Sequence, residues 1–190
     1  MATSSSQNVS PGGDHIAIPF QMRMPSMEFI YRLSCDMASE NHAVGAPFSG
    51  SHNRVIMPIV GGRVEGPRVS ADIQHMSGAD WGTAIKGTNF MILNARYTLK
   101  TIDGHFIYVR SKGIFSPNRD DFFANRPPEN VTQDDADWFT RLQFEASGPY
   151  NWLNGVLAIG VLAMCEKRIV IDAYRITNTP GVEAKSLQVE

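Results

Sequence analysis

Two phenols and a guanidinium, Tyr97, Tyr108 and Arg110, fall close together in one segment of the chain. A phenol donates a hydrogen bond to a carbonyl oxygen and a guanidinium stabilises an enolate, so three such groups on one apolar face suit a reaction passing through a negatively charged oxygen. Asp80 follows a Gly78-containing turn and supplies a carboxylate able to take a proton, with the indole of Trp81 as a neighbouring wall. These four, Asp80, Tyr97, Tyr108 and Arg110, are the candidate catalytic residues. Trp81, Leu99, Phe106, Arg96, Trp152 and Asn154 form the candidate substrate-binding set. Plainer roles stay open for each: an Arg–Tyr network bracing the fold, an Arg at an open rim, an Asp and Trp closing a turn, aromatic rings plugging a core.

The elements that must position these groups are strands. Met27, Phe29, Tyr31, Leu33, Cys35 and Met37 alternate with Glu28, Arg32, Ser34 and Asp36, the period of a half-buried strand. Similar runs predict strands over 27–37, 55–60, 81–85, 90–101, 105–112, 138–146, 153–165 and 168–176. Gly61-Gly62 reads as a turn, and Gly66-Pro67 as a bulge or edge. Asp103-Gly104 between two such runs predicts a two-residue type I′ hairpin. That register sets Tyr97 opposite Arg110 and Leu99 opposite Tyr108, and turns Leu93, Ala95, Tyr97, Leu99, Phe106, Tyr108 and Arg110 to one interior face. Asn94 and Arg96 then lie on the opposite face, as surface or dimer-contact groups. The stretch from Phe115 to Asp137 is a long loop region, a form often used as a lid or binding element.

Many short strands and little helical periodicity predict an all-β fold, a single antiparallel β-barrel or related sandwich. The barrel spans residues 25–176, with polar tails at 1–24 and 177–190. About eight to ten strands leave an interior able to hold one small ligand. The net charge of −2 and the absence of a basic run argue against nucleic acid. The longest apolar run is too short for a membrane helix, and the N-terminal residues lack a secretory leader's apolar core, so the expectation is a cytoplasmic protein with no membrane partner. Cys35 and Cys165 each sit in an apolar run and read as buried thiols. The five His stand singly and no phosphate-cradling glycine loop occurs, so neither a metal nor a cofactor is expected. Phe90, Ile92, Ile107 and Val109 on the outer hairpin face predict a homodimer.

Several of these motifs together resemble a family of bacterial and fungal proteins termed domain of unknown function three-two-three-seven. The resemblance is carried by Gly61-Gly62 through Gly66-Pro67, Gly78-Ala79-Asp80-Trp81, Ala95-Arg96-Tyr97-Thr98-Leu99 leading to Asp103-Gly104, Ile107-Tyr108-Val109-Arg110, Gly113, Phe144-Glu145, Tyr150-Asn151-Trp152-Leu153-Asn154 and Ile171-Asp172-Ala173-Tyr174. It implies a calycin-like, lipocalin-like barrel and supplies no reaction. The family pattern has Asp where this chain has Asn94, so a carboxylate role there is absent, and the Phe115–Asp137 stretch is longer than in small bacterial members. The expectation for function is a cofactor-independent isomerase, cyclase or lyase acting on a carbonyl-bearing or aromatic secondary metabolite. A small-molecule carrier using the same cavity is the alternative.

Overall fold

The computed structural model describes residues 24–119, 121–122 and 129–178. The two polar tails of the sequence reading lie almost wholly outside these residues. Ten strands follow one another: β1 (Ser26–Met37), β2 (His42–Gly45), β3 (His52–Glu65), β4 (Ser70–Ile73), β5 (Gly78–Ile85), β6 (Met91–Thr101), β7 (Phe106–Pro117), β8 (Ala136–Ala146), β9 (Ala158–Cys165) and β10 (Arg168–Thr177). They form one antiparallel sheet in the order β1-β10-β9-β8-β7-β6, from which β4 and β5 each pair with β3. Because β3 also pairs with β1, the sheet closes on itself. Closure leaves few strand edges open to unwanted pairing.

Closure depends on a bend in β3. From His52 to Ile59 it pairs with β5, and from Arg63 to Glu65 with β4. Between them Gly62 has φ +142°, and a Cβ there would lie 2.2 Å from the Ser34 carbonyl oxygen of β1. Only glycine lets the strand turn this corner so near its neighbour. Gly61-Gly62 is thus a corner within a continuous strand, not the turn between strands that the sequence suggests.

The β6–β7 hairpin corrects a second expectation. Gly104 N–H donates to the Thr101 carbonyl, Thr101 N–H to His105, and Gly104 has φ +89°. This is a three-residue loop, Ile102 to Gly104, in which the glycine takes the left-handed position. Lys100 therefore faces Phe106, Thr98 faces Tyr108 and Arg96 faces Arg110. The register differs by one residue from the two-residue turn, and a one-residue slip turns every side chain of a strand to the other side. Ile107, Val109, Ser111 and Phe115 point inward. Phe106, Tyr108 and Arg110 point outward, and Ile107 and Val109 leave the proposed outer dimer face.

The interior has two parts. At the end where Ile107 faces Ala146, side chains including Leu99, Leu142 and Phe144 fill the barrel, and a 3₁₀ helix (Gly148–Gly155) seals it with Tyr150 and Leu153. Residues 153–157, expected as strand, belong to this plug and its exit. Toward the other end Leu93, Phe115, Phe122, Val131 and Ala136 form a second apolar cluster. Both cysteines are free, Cys35 buried and Cys165, against expectation, exposed at the end of β9.

Candidate functional site

Between the filled end and the second cluster lies a cavity of ≈ 310 Å³. Apolar side chains supply most of its wall, among them the flexible or aromatic Met37, Met57, Met91, Met164, Phe115 and Phe122. The two Phe rings meet edge to face with centroids 5.4 Å apart, and Phe115 meets Trp138 at 5.0 Å. Phe122 and Val131 come from the long segment between β7 and β8. Val131 is held to Met164 by reciprocal backbone hydrogen bonds of 2.8 Å, so this part of the segment is built into the cavity wall.

Alternation along β5 decides which of its polar residues enters. Asp80 faces Met57 of β3 and Ala95 of β6, both cavity residues, so its carboxyl points inward. Trp81, one residue on, points out, where the Arg96 guanidinium lies 5.8 Å from its ring. The pair expected to share a barrel mouth is thus split across the wall, as the period of a strand requires.

Asp80 sits at a break in the sheet. The β5–β6 pairing holds at Asp80↔Ala95 and resumes at Thr83↔Ile92. Within the gap Asp80 Oδ1 accepts the Asn94 backbone N–H at 2.8 Å, and Arg54 of β3 donates to the Trp81 carbonyl. A carboxylate and a guanidinium thereby satisfy backbone groups the ladder has released. Burial in an apolar cavity pushes the Asp80 carboxyl up from 3.8 to about 6, while the Asn94 N–H and the Arg54 charge pull partly the other way. An acid near neutrality in a cleft can both accept and return a proton at physiological pH.

Other polar groups gather around it. Tyr97 lies two residues along β6 from Ala95, a diagonal cross-strand neighbour of Asp80 on the same face. Ser111 faces Ala95 from β7, and Thr140 and Trp138 enter from β8. Tyr97 Oη, Trp138 Nε1 and Thr140 Oγ1 are buried without a hydrogen-bond partner, as is Tyr31 Oη behind Tyr97. The Tyr31 and Tyr97 hydroxyls are near enough to influence each other's ionisation, but no hydrogen bond of ordinary geometry joins them. Desolvation pushes both phenols well up, so both stay protonated. Buried polar groups are nearly always satisfied, and several orphans around one cavity mark where a ligand's polar atoms belong.

Of the residues singled out from sequence, Asp80 and Tyr97 meet at this cavity. Tyr108 and Arg110 lie outside it because of the hairpin register, and Arg110 Nε is buried in the outer wall without a partner. Phe106 is 56% exposed, and Arg96 is exposed beside Trp81. Leu99 is wholly buried in the filled end. Trp152 packs on the plug with the Arg68 guanidinium 4.0 Å from its ring, and Asn154 ties the plug to β8 through both the N–H and carbonyl of Ala146. Sequence reasoning missed Tyr31, Ser111, Trp138, Thr140 and Arg54. The alternation Trp138, Thr140, Leu142, Phe144 carried the signal for two of them. Among the described residues no three His, Cys, Asp or Glu side chains come together as metal ligands, and no helix is long and apolar enough to cross a membrane.

Fold and site together define a closed antiparallel β-barrel with a ligand-sized interior cavity that the Asp80 carboxylate enters. Residues 25–176 match the family model described as a protein of unknown function, DUF3237, and the chain belongs to that family. It is 32% identical over 128 residues to a UPF0311 protein of Rhodopseudomonas palustris, covering 67% of this chain and 82% of that one. A β-barrel-like protein from Acinetobacter baumannii superposes with a TM-score of 0.70 at 28% identity, over 83% of this chain and 99% of the other. A structure described as an enzyme from Penicillium herquei shares the fold with a TM-score of 0.61 at 19% identity, over 84% and 99% of the two chains.

Proposed function

We propose that this protein is a cofactor-independent isomerase, cyclase or lyase in which Asp80 moves a proton on a small carbonyl-bearing or aromatic metabolite held in the barrel. The observation that carries this reading is the Asp80 carboxyl, raised to about 6, inside a largely apolar cavity and diagonally adjacent to the buried Tyr97 phenol. The Asp80 carboxylate takes a proton from a carbon beside the carbonyl, and the released electron pair moves onto the carbonyl oxygen. Hydrogen bonds from Tyr97, or from Trp138 and Thr140, stabilise that enolate. Return of the proton to a different atom completes an isomerisation; attack of the enolate carbon on a second carbonyl of the same molecule, whose oxygen takes the proton back from Asp80, a cyclisation; and expulsion of a β-substituent that leaves with that proton an elimination. Losing one such donor costs about 2.7–4 kcal/mol of transition-state stabilisation. The Penicillium herquei neighbour is itself described as an enzyme, which is consistent with catalysis on this fold.

The test is incubation of the protein and Asp80→Asn with fractionated metabolite extract from the organism that carries the gene, read by mass spectrometry. The reading expects a compound converted by the wild type to an isomer of equal mass, or to fragments that sum to it, and left intact by Asp80→Asn. A compound retained equally by both proteins and converted by neither would identify a carrier instead.

A further inference from the structure

The cavity's polar atoms are arranged for one charge class of ligand. Among the described residues that line it, Asp80 is the one carboxylate. The one cation is Lys167, an exposed residue whose ammonium lies 3.5 Å from Glu129 at the rim. Arg54, whose charge acts on Asp80, is turned to the Trp81 and Gly82 carbonyls within the wall. Among the described residues, an anion entering the barrel therefore meets a carboxylate that is offset only in part, by Arg54 within the wall, and a like-charge contact in an apolar cavity is unfavourable.

The unpartnered groups set the ligand's polarity. Trp138 Nε1 can only donate, and it asks for an acceptor oxygen; the Thr140 hydroxyl beside it can serve the same atom. The Asp80 carboxylate only accepts while ionised, and it asks for a hydroxyl, an enol or an acidic C–H. The two are separated across the barrel, Asp80 on β5 and Trp138 and Thr140 on β8. The strands between them, β6 and β7, present Met91, Leu93, Ala95, Tyr97, Ser111 and Phe115 to the cavity, a largely apolar and adaptable wall that suits an apolar body.

Resting on the proposed function for the role of Asp80, we propose that the substrate is an uncharged, weakly acidic molecule, a phenol or enolisable carbonyl compound, and that Asp80 excludes permanently anionic ligands. The probes are 2-naphthol and 2-naphthalenesulfonate, which share a ring system and differ in charge. Binding is measured at pH 7.5 by titration calorimetry on the full chain, its Asp80→Asn variant and its Trp138→Phe variant.

The expected result is that the wild type binds naphthol and binds the sulfonate at least about tenfold more weakly. In Asp80→Asn, which keeps an oxygen for the Asn94 N–H, the gap should close because the sulfonate gains. In Trp138→Phe naphthol binding should fall about three- to tenfold through loss of one hydrogen bond. Equal or tighter binding of the sulfonate by the wild type, a gap that persists in Asp80→Asn, or no naphthol binding at all would overturn the proposal. A protein that shows this preference yet converts no metabolite fails as an enzyme while keeping its ligand class. One that converts an anionic metabolite in an Asp80-dependent way keeps the enzyme reading and loses the ligand class.

Discussion

Asp80 is a residue whose own fold disfavours its charged form. A carboxyl raised from 3.8 to about 6 is more readily protonated in the folded chain than in the unfolded one, so it contributes stability at low pH that is lost as pH rises through about 6. A shift of that size corresponds to roughly 3 kcal/mol. Asp80→Asn removes the titration while keeping an oxygen for the Asn94 N–H, so the variant should equal or exceed the wild type in stability at pH 7.5. The difference between the two should shrink toward pH 4.5, a trend that urea unfolding at the two pH values will show. A variant less stable than wild type at pH 7.5 would mean that the carboxylate is held by its neighbours more strongly than burial opposes it. The outward residues behave differently: Arg110→Met and Tyr108→Phe change the outer wall and should leave cavity binding as it was.

At the scale of elements, two glycines do unequal work. Gly104 sits in a hairpin loop with φ +89° and open space around its Cβ position, so Gly104→Ala costs only backbone strain, about 1 kcal/mol. Gly62→Ala combines a positive φ with a clash against the Ser34 carbonyl, so it should reduce stability by more than 3 kcal/mol or prevent folding. Thermal melting of the pair checks the order; equal melting temperatures would remove the corner from the account. The strands themselves were legible because alternation is a local pattern, and β1, β6, β8 and β10 fall within a few residues of where it places them. The hairpin register was not legible, because Asp103-Gly104 suits both a two-residue loop and the last two positions of a three-residue one. In the folded chain Thr101 decides between them: its side chain accepts from the His105 N–H, while Tyr150 of the plug donates to Asp103. That single choice moved Tyr108 and Arg110 out of the site. Arg54 was invisible for another reason, since its role arises from a break between two strands distant from it in sequence.

Across the whole molecule, the outer face of β6, β7 and β8 carries an ordered pattern. Ile92, Ile114 and Phe139 lie directly opposite one another across the three strands, each about two-fifths exposed. On one side of this apolar row stand Lys112 and Arg141, then Arg96 and Arg110, and on the other Asp137 beside Asp134 and Asp135. Cations placed directly opposite one another repel, a cost that an acidic partner surface offsets. A two-fold axis through the apolar row sets the basic side of one copy against the acidic side of another, the self-complementarity that a symmetric dimer needs. The wild type is therefore expected to sediment as a dimer, Phe139→Lys as a monomer, and added salt to weaken the association. A wild type that stays monomeric at high concentration contradicts this.

Catalysis as proposed requires the barrel's interior carboxyl to exchange a proton near neutral pH. Carbon-13 labelling of aspartate with NMR titration of the side-chain carboxyl resonances measures it directly, the signal missing from Asp80→Asn giving the assignment. The expected midpoint for Asp80 is about 6. A midpoint at or below the ordinary 3.8 would contradict it, because the group would then be a fully ionised structural anion with no proton to give back.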